Sequence, residues 1–213
     1  MDPRDDVRKA FDLLAEDYAR LRSSGFEETA RLVSGREFAS ICDAGSGPDT
    51  YGRLFAGASR MVVQFDLSEE MVHVGRRRIA SEGIDWKVHS IVCDVTSLPF
   101  RSNSFDLAAS VAVLHHLTKE LAKCALLELL RITVPCKMVF LSVWLPAAMY
   151  QAHTEDVPGE MSLVWWKTRP GAVARYYRKW QPRELRDLCE SCGYRYLDSY
   201  ISGKNVFVAA MKL

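Results

Sequence analysis

The 213-residue sequence has no apolar run long enough to cross a membrane as a helix. Its first residues, MDPRDDVRKAF, carry charges where a secretory signal requires an apolar stretch. We therefore expect no export and no membrane, and a location in the cytoplasm or in both nucleus and cytoplasm. Internal repeats and low-complexity tracts are lacking too. With 48% hydrophobic and 26% charged residues, the composition favours a single globular domain over residues 1–213.

Cysteine is present, but without the spacing of a zinc site. Of six cysteines, only Cys189 and Cys192 form a C-x-x-C pair. A structural zinc site needs a second pair of comparable spacing, and Cys124 and Cys136 lie twelve residues apart. We expect reduced, packed thiols and no metal site.

Positive and negative charges nearly cancel over the whole chain, but one segment is strongly basic. The net charge of +1 says nothing about partners. Between Lys167 and Arg186, however, seven basic residues face a single acidic one, Glu184. Such a basic segment is one of the features that phosphate-binding proteins display.

Short apolar runs alternate with helical patterns over the first two thirds of the chain. The runs cover residues 39–44, 61–66, 87–94, 106–113 and 137–144. Between them, 68–81 and 118–132 are predicted helices with Ser68 and Thr118 as N-caps. Alternating strands and helices predict an α/β fold with a mostly parallel sheet covered on both faces.

Three segments frame this pattern. Apolar residues at alternating steps of four and three predict an amphipathic helix over about 3–22, which we expect to act as a lid. Residues 145–181 are too long and irregular for an ordinary connection, so we interpret them as a substrate-binding insertion. After a helix that begins at Pro182, runs at 194–201 and 205–211 flank SGKN and predict an antiparallel hairpin.

The stretch DAGSGPDTY, residues 43–51, lacks the third glycine of a dinucleotide fingerprint. Gly45 and Gly47 still allow a ligand close to the backbone in the first strand-to-helix turn. Asp49, near the start of the next helix, would repel a pyrophosphate, whereas a cationic ligand would not be repelled.

Two further aspartates end neighbouring strands. Asp66 lies about twenty residues beyond the turn, where a carboxylate accepts hydrogen bonds from ribose hydroxyls. Asp94 ends the third strand and is placed to accept from the amine of an adenine. With Asp43 they form a set of three carboxylates, which suits the positively charged nucleoside S-adenosylmethionine. Alternatively, these aspartates merely end strands and cap helices.

The motifs DAGSGPDTY, FDLSEEMV, CDVTSLPFRSNSFD and SVAVLHHL together resemble the class I S-adenosylmethionine-dependent methyltransferases. The resemblance implies a Rossmann-like fold with six parallel strands, one antiparallel strand and the cofactor over the first two strands. Carried onto this chain, it assigns cofactor binding to Asp43, Gly45, Gly47, Tyr51, Asp66, Leu67, Asp94, Val95 and Val111.

The second half, with VAVLHHL, SVW, RYYRKWQPRELRDLCESCGY and GKNVFVAAMKL, is similar to the tRNA wobble-uridine carboxyl methyltransferases, relatives of the methyltransferase part of the animal AlkB-homologue fusion enzyme. This resemblance implies methylation of the carboxylate of carboxymethyluridine in the tRNA anticodon loop, with a small zinc-binding activator subunit. The chain departs from the family's usual sequence at three places. These are PDT (48–50) in the glycine turn, LAK (121–123) shortly after the two histidines, and TVPCK (133–137) before the fifth strand.

A carboxylate acceptor is already ionised at neutral pH, so its methylation needs orientation and no general base. We expect Arg175 to grip it, with Tyr176 and His116 as further catalytic candidates. His115 and His116 also fit a packing role. The expected substrate-binding residues are Trp144, Lys167, Arg169, Tyr177, Arg178 and Lys179, the aromatic ones by stacking and the basic ones through phosphates.

Three alternatives remain open at the level of the sequence. The acceptor is another RNA, such as ribosomal RNA, or it is a small molecule. In the third alternative the chain is a non-catalytic binding subunit that keeps a methyltransferase fold, an idea that the altered turn suggests.

Overall fold

The computed structural model describes residues 3–21, 25–146, 153–168 and 171–213, with Pro3, Lys167 and Thr168 described by their backbone alone. The helices are α1 Pro3–Leu21, α2 Glu27–Val33, α3 Gly52–Ala58, α4 Glu69–Ser81, α5 Lys119–Ile132 and α6 Pro182–Ser191, and Leu114–His116 form a 3-10 turn. The strands are β1 Phe38–Ala44, β2 Ser59–Asp66, β3 Val88–Val92, β4 Phe105–Val111, β5 Thr133–Trp144, β6 Thr154–Asp156, β7 Met161–Thr168, β8 Gly171–Arg178, β9 Tyr194–Ser202 and β10 Asn205–Lys212.

Seven strands form one sheet in the order β3-β2-β1-β4-β5-β10-β9. β1 to β5 pair in parallel, and β10 runs antiparallel to both β5 and β9. The structure thus confirms the expected fold with six parallel strands, one antiparallel strand and a closing hairpin. Because the strand order reverses between β1 and β4, a crevice opens at the carboxyl ends of these strands.

Both faces of the sheet are buried, as alternation along β1 illustrates. Ile41 packs with Phe55 of α3 and Ile79 of α4, while its neighbour Cys42 packs with Leu126 of α5 on the other face. Helices on both faces explain why the strand sequences read as continuous apolar runs.

The expected caps form. Ser68 Oγ accepts from the Met71 amide at 3.1 Å, and Thr118 Oγ1 accepts from the Leu121 amide at 3.3 Å. Capping fixes where α4 and α5 begin, directly after the strand ends that bear the predicted site.

The predicted N-terminal helix is present as α1 and packs against α4 and β8. Ser68 Oγ donates to Asp12 Oδ1 at 2.6 Å, and Arg78 Nη2 donates to the Ala19 carbonyl at 2.6 Å. The helix therefore lies across the crevice. The sequence Asp2-Pro3 is typical of an N-cap followed by proline at the first helical position, but Asp2 lies outside the described residues. Among the helices described, none is long and apolar enough to cross a membrane.

The segment expected as an irregular insertion is more regular than its sequence indicates. Its described part forms a three-stranded antiparallel sheet, β6-β7-β8, in which Leu163 pairs with Tyr176. Pro158 and Gly159 lie between β6 and β7, and Gly171 begins β8. The breaker residues therefore mark the ends of strands, and the expectation of an irregular loop was wrong for that reason.

Candidate active site

A cavity lies at the carboxyl ends of the parallel strands, under α1 and beside β8. Eight of the nine residues expected to bind the cofactor line it: Gly45, Gly47, Tyr51, Asp66, Leu67, Asp94, Val95 and Val111. At the other end it is lined by residues from four segments that are distant in the chain, represented by Phe11, His115, Trp144 and Arg175.

The glycine turn approaches the cavity with its bare backbone. Gly45 has φ +74°, and a Cβ added there would lie 2.3 Å from Val113 Cγ2. Gly47 has φ +57°, and its amide donates to Asp66 Oδ2 at 2.9 Å. Both the positive φ and the contact with Val113 require glycine at position 45.

Asp66 fastens this turn to the start of α4. Besides the Gly47 amide, its carboxylate accepts from the Ser68 amide at 2.9 Å through Oδ1. Burial raises the pKa of Asp66 to about 6. Each carboxylate oxygen keeps a second lone pair, so Asp66 can still accept from the hydroxyls of a ribose. Asp66 can therefore both bond the backbone amides at the start of α4 and bind a ligand, so the two alternatives given for this residue do not exclude each other.

Asp94 is already paired. Its Oδ2 lies 2.7 Å from Arg4 Nη1 of α1, and its Oδ1 accepts from both the amide and the hydroxyl of Thr96 at 2.8 Å. An adenine amine that bonds to Asp94 must share this carboxylate with the lid helix.

Asp43, also expected to bind the cofactor, is not among the residues that line the cavity. It is buried, and its Oδ2 has no hydrogen-bond partner among the described residues. Burial, with Asp49 and Asp66 nearby, raises the pKa of Asp43 well above its ordinary value. The reason is strand alternation, since Asp43 shares a sheet face with Ile41 and the crevice begins only at Gly45.

Asp49, two residues beyond Gly47 in the turn, adopts φ +65°, a backbone conformation that favours glycine. It does not line the cavity either, so its charge does not select the ligand as the sequence suggested. The carboxyl is buried against two glycines: a Cβ on Gly52 would lie 1.9 Å from Asp49 Oδ1, and one on Gly75 would lie 3.3 Å from the Asp49 amide. Burial and Glu82 raise the pKa of Asp49 to about 6.

Arg175 places a positive charge at the end of the cavity that Phe11 and Trp144 line. Its side chain is 5% exposed, and its guanidinium carbon lies 4.5 Å from the ring centre of Trp166, 5.1 Å from that of Tyr177 and 5.5 Å from that of Phe11. Among the described residues no carboxylate lies within ion-pair distance, and Nε has no hydrogen-bond partner. A buried cation without a counter-ion is costly, and a bound anion would remove that cost.

Two adjacent histidines stand beside this guanidinium. His115 stacks on Tyr177 with ring centres 4.7 Å apart, and His116 packs edge-on against Phe11 at 5.0 Å. Burial and the charge of Arg175 lower both pKa values, that of His116 to about 3. Both rings are therefore neutral at physiological pH.

The aromatic candidates, Tyr176 for catalysis and Trp144 and Tyr177 for substrate binding, do not all reach the cavity. Trp144 and Tyr177 line the cavity, whereas the Tyr176 side chain does not. Alternation along β8 explains this, because Arg175 and Tyr177 share one face and Tyr176 takes the other. Tyr176 contributes only its carbonyl, which bonds His116 Nδ1 at 3.0 Å.

Two of the four basic residues expected to contact phosphates are engaged by carboxylates. Arg178 is buried and bonds Glu160 at 2.6 Å and also Glu184. Lys179 bonds Asp156 at 2.5 Å. The side chain of Lys167 and all of Arg169 lie outside the described part of the structure.

Sequence reasoning missed three residues that contact the site. Phe11 and Arg4 lie on the helix that was expected only to act as a lid, and Trp166 lies in the segment interpreted as a substrate-binding insertion but was given no role of its own. The heptad-like apolar face of α1 signals burial of Phe11, but no local pattern shows what that face covers. In the described residues no group of three His, Cys, Asp or Glu side chains is placed to hold a metal.

Residues 41–136 match a family model described as a methyltransferase domain. The malonyl-[acyl-carrier protein] O-methyltransferase of Salmonella typhimurium is 33% identical over 95 residues, 45% of this chain and 36% of that protein. The tRNA (carboxymethyluridine(34)-5-O)-methyltransferase of Arabidopsis thaliana is 31% identical over 140 residues, 65% of this chain and 32% of that protein. The match thus spans about a third of each relative.

Solved structures agree on the fold. The complex of DhpI with S-adenosylhomocysteine matches with a TM-score of 0.74 and 16% identity, over 98% of this chain and 96% of that one. A methyltransferase in complex with the Trm112 activator of Haloferax volcanii matches with a TM-score of 0.71 and 14% identity, over 94% and 96%. Residues 41–136 therefore match a methyltransferase domain, and the cofactor that this match and the shared fold indicate is S-adenosylmethionine.

The residues present fit this cofactor. Gly45 and Gly47 offer a backbone cradle that a Cβ at position 45 would fill, and Asp66 offers acceptors for the ribose. Leu67, Val95 and Val111 supply apolar walls for an adenine. Among the described residues, the cations that line the cavity besides Arg175 are Arg4 and Arg8 of α1, which pair with Asp94 and Asp12.

Proposed function

We propose that this protein is an S-adenosylmethionine-dependent methyltransferase whose acceptor is a carboxylate, held by Arg175. The observation that carries the proposal is the buried guanidinium, which lines the cavity without a carboxylate partner among the described residues. Its planar fork matches a carboxylate with two parallel hydrogen bonds. The chain thus supplies the counter-charge that an anionic acceptor needs in order to leave water.

The chemistry requires little else of the protein. A carboxylate oxygen of the acceptor forms a bond to the methyl carbon as the carbon–sulfur bond of the sulfonium breaks, leaving a methyl ester and S-adenosylhomocysteine. Because the acceptor is already ionised, no group has to take up a proton. Two neutral histidines beside Arg175 agree with this, since neither adds a competing positive charge.

The names of the two relatives support the same acceptor class, because malonyl and carboxymethyluridine both carry a carboxyl group. Within that class we propose the wobble carboxymethyluridine of tRNA as the acceptor. Motifs that cover nearly the whole chain resemble this family, and the Arabidopsis relative aligns over 65% of the chain. By analogy with the Trm112 complex, we also propose a small zinc-binding activator as partner.

A second candidate is a small carboxylic acid or acyl thioester. It is favoured by the pairing of Arg178 with Glu160 and Glu184 and of Lys179 with Asp156, which removes charges that RNA phosphates would use. The Salmonella relative, with its malonyl acceptor, belongs to this class by name.

The test is methyl transfer from radiolabelled S-adenosylmethionine, with and without an activator subunit. One acceptor is tRNA from cells that lack wobble carboxyl methylation, and the others are malonyl thioesters and simple arylacetic acids. A methyl ester is hydrolysed by mild alkali, whereas N-methyl and C-methyl groups are not. We expect alkali-labile label on tRNA. Label only on small acids selects the second candidate, and alkali-stable label contradicts the proposal.

A further inference from the structure

The two histidines of the acceptor end are held in opposite tautomers. The backbone amide of Trp144, which can only donate, points to His115 Nδ1 at 3.2 Å. His115 Nδ1 is therefore an acceptor, and the proton of the neutral ring lies on Nε2. His115 thus offers the cavity a hydrogen-bond donor.

His116 has the reverse arrangement. Its Nδ1 lies 3.0 Å from the carbonyl oxygen of Tyr176, which can only accept. The proton therefore lies on Nδ1, and Nε2 keeps a free lone pair. His116 thus offers the cavity a hydrogen-bond acceptor.

Packing fixes both rings. The two ring centres are 4.4 Å apart, and Tyr177 contacts both, stacked on His115 and edge-on to His116. Both histidines line the cavity, and no described residue bonds Nε2 of either ring. Burial and the nearby charge of Arg175 oppose protonation, which would turn the acceptor of His116 into a second donor.

We propose that His115 and His116 bind a planar group in which a carbonyl and an N–H are neighbours, attached to the carboxylate that Arg175 holds. His115 Nε2–H donates to the carbonyl oxygen, and His116 Nε2 accepts from the N–H. The group is an imide or an amide. This inference rests on the proposed function and narrows its acceptor class.

The two histidines are expected to bind the two candidate acceptors with different affinities. In carboxymethyluracil the ring carbonyl at C4 stands next to the carboxymethyl carbon, and the N3–H follows it. A simple arylacetic acid has the same carboxylate but neither group. A site that hydrogen-bonds a donor of its ligand discriminates strongly against an analogue that lacks it, because its own buried polar groups are left unpaired.

The experiment measures binding, so that it does not depend on turnover. Protein saturated with S-adenosylhomocysteine is titrated in a calorimeter with 5-carboxymethyluracil, with its N3-methyl derivative and with phenylacetate. We expect the N3-methyl compound to bind at least about tenfold more weakly than the parent, since one hydrogen bond to a desolvated group is lost. Phenylacetate is expected to bind more weakly still.

His116→Asn is the informative variant. Its side-chain amide can keep the donor bond to the Tyr176 carbonyl while the acceptor at Nε2 is removed. We expect the affinity ratio between the parent and the N3-methyl compound to fall to about one, with phenylacetate unchanged. His116→Gln, which places an oxygen near the former Nε2, should restore part of the ratio. His73→Asn, which changes a half-exposed histidine on α4, is the matched control.

The outcomes distinguish this inference from the proposed function. If the parent and the N3-methyl compound bind wild-type protein equally, and both lose affinity in Arg175→Met, the imide inference is overturned and the carboxylate site stands. A ratio that persists in His116→Asn also overturns it. If none of the acids binds, both the inference and the carboxylate proposal fall. Unchanged affinity for S-adenosylhomocysteine shows that each variant is folded.

Discussion

The two ends of the cavity are built in different ways. The cofactor end uses backbone amides and carboxylates from three consecutive strand ends, with Gly47, Asp66 and Ser68 within about twenty residues of one another. The acceptor end brings together Phe11, His116 and Arg175, which are more than fifty residues apart in the chain. One end is local in sequence, and the other exists only after folding.

The two ends also differ in their polar balance. At the cofactor end, hydrogen bonds satisfy both oxygens of Asp66 before any ligand binds. At the acceptor end, Arg175 has aromatic neighbours and no carboxylate within reach in the described structure. We infer that the cofactor end is preorganised by its own bonds, whereas the acceptor end is completed by its ligand.

The largest effect is expected from Asp66→Ala, which removes the acceptor for two backbone amides and for the ribose. At about 1.5–3 kcal/mol for each bond to a charged group, we expect affinity for S-adenosylmethionine to fall by about 1000-fold or more. Isothermal titration measures it. Asp85→Ala, an exposed residue beyond α4, is the control. Affinity within a few-fold of wild type would refute the assigned role of Asp66.

Arg175→Met tests the other end, because it keeps an unbranched side chain and removes the charge. We expect kcat/KM for the carboxylate acceptor to fall about 100-fold, since truncating one partner of a buried charge pair costs about 2–5 kcal/mol. Affinity for S-adenosylmethionine stays unchanged. The melting temperature of the free protein does not fall, because the removed charge was unpaired.

Arg183→Met, an exposed position on α6, is the matched control for this variant. Equal loss of cofactor affinity in Arg175→Met and Asp66→Ala would erase the distinction between the two ends. A large drop in melting temperature for Arg175→Met would show that the guanidinium is structural.

Asp49→Asn tests whether the buried carboxyl of the altered turn makes the stability of the protein depend on pH. Burial raises the pKa of Asp49 from 3.8 to about 6, so its contribution to stability is present below pH 4 and is lost as pH rises through 6. Asparagine tolerates the positive φ and carries no charge. We expect the variant to be more stable than wild type by about 1–3 kcal/mol at pH 7.5 and equal to it at pH 4.

Urea unfolding at the two pH values measures this difference. Burial raises the pKa of Asp66 in both proteins, so its contribution cancels, whereas Asp43 loses the neighbouring charge of Asp49 and adds to the gain in stability at pH 7.5. A variant that is destabilised at both pH values would mean that the Asp49 carboxylate makes a favourable interaction with the turn.

Arg4→Met is expected to have the smallest effect on cofactor affinity. It tests the lid helix α1, which contacts both ends of the cavity through Arg4 and Phe11. The Arg4–Asp94 pair is partly exposed, and such pairs contribute about 0–1 kcal/mol. Freed of this partner, Asp94 should bind adenine slightly better, so cofactor affinity rises by less than about fivefold. Lys9→Met, an exposed residue on the same helix, is the control. A loss of affinity would show that Arg4 itself contacts the cofactor.

Much of the fold was predictable because local signals suffice for it. The apolar runs, the caps Ser68 and Thr118 and the SGKN turn predicted the strands, helices and hairpin that the structure contains. The small sheet β6-β7-β8 was not predicted, because breaker residues mark a loop and a strand end equally well. Which side chain of β8 faces the cavity depends on the register with β7, and register is a tertiary property.

By itself, the sequence determined where the cofactor end lies, since carboxyl ends of parallel strands meet at one edge and Gly45, Asp66 and Asp94 lie at or just beyond such ends. The tertiary structure decided what the sequence could not. It buried Asp43 and Asp49 away from the cavity, paired Arg178 with carboxylates and left Arg175 among aromatic rings. The physical reason is that burial and charge pairing depend on which distant segments meet, and no local pattern records that.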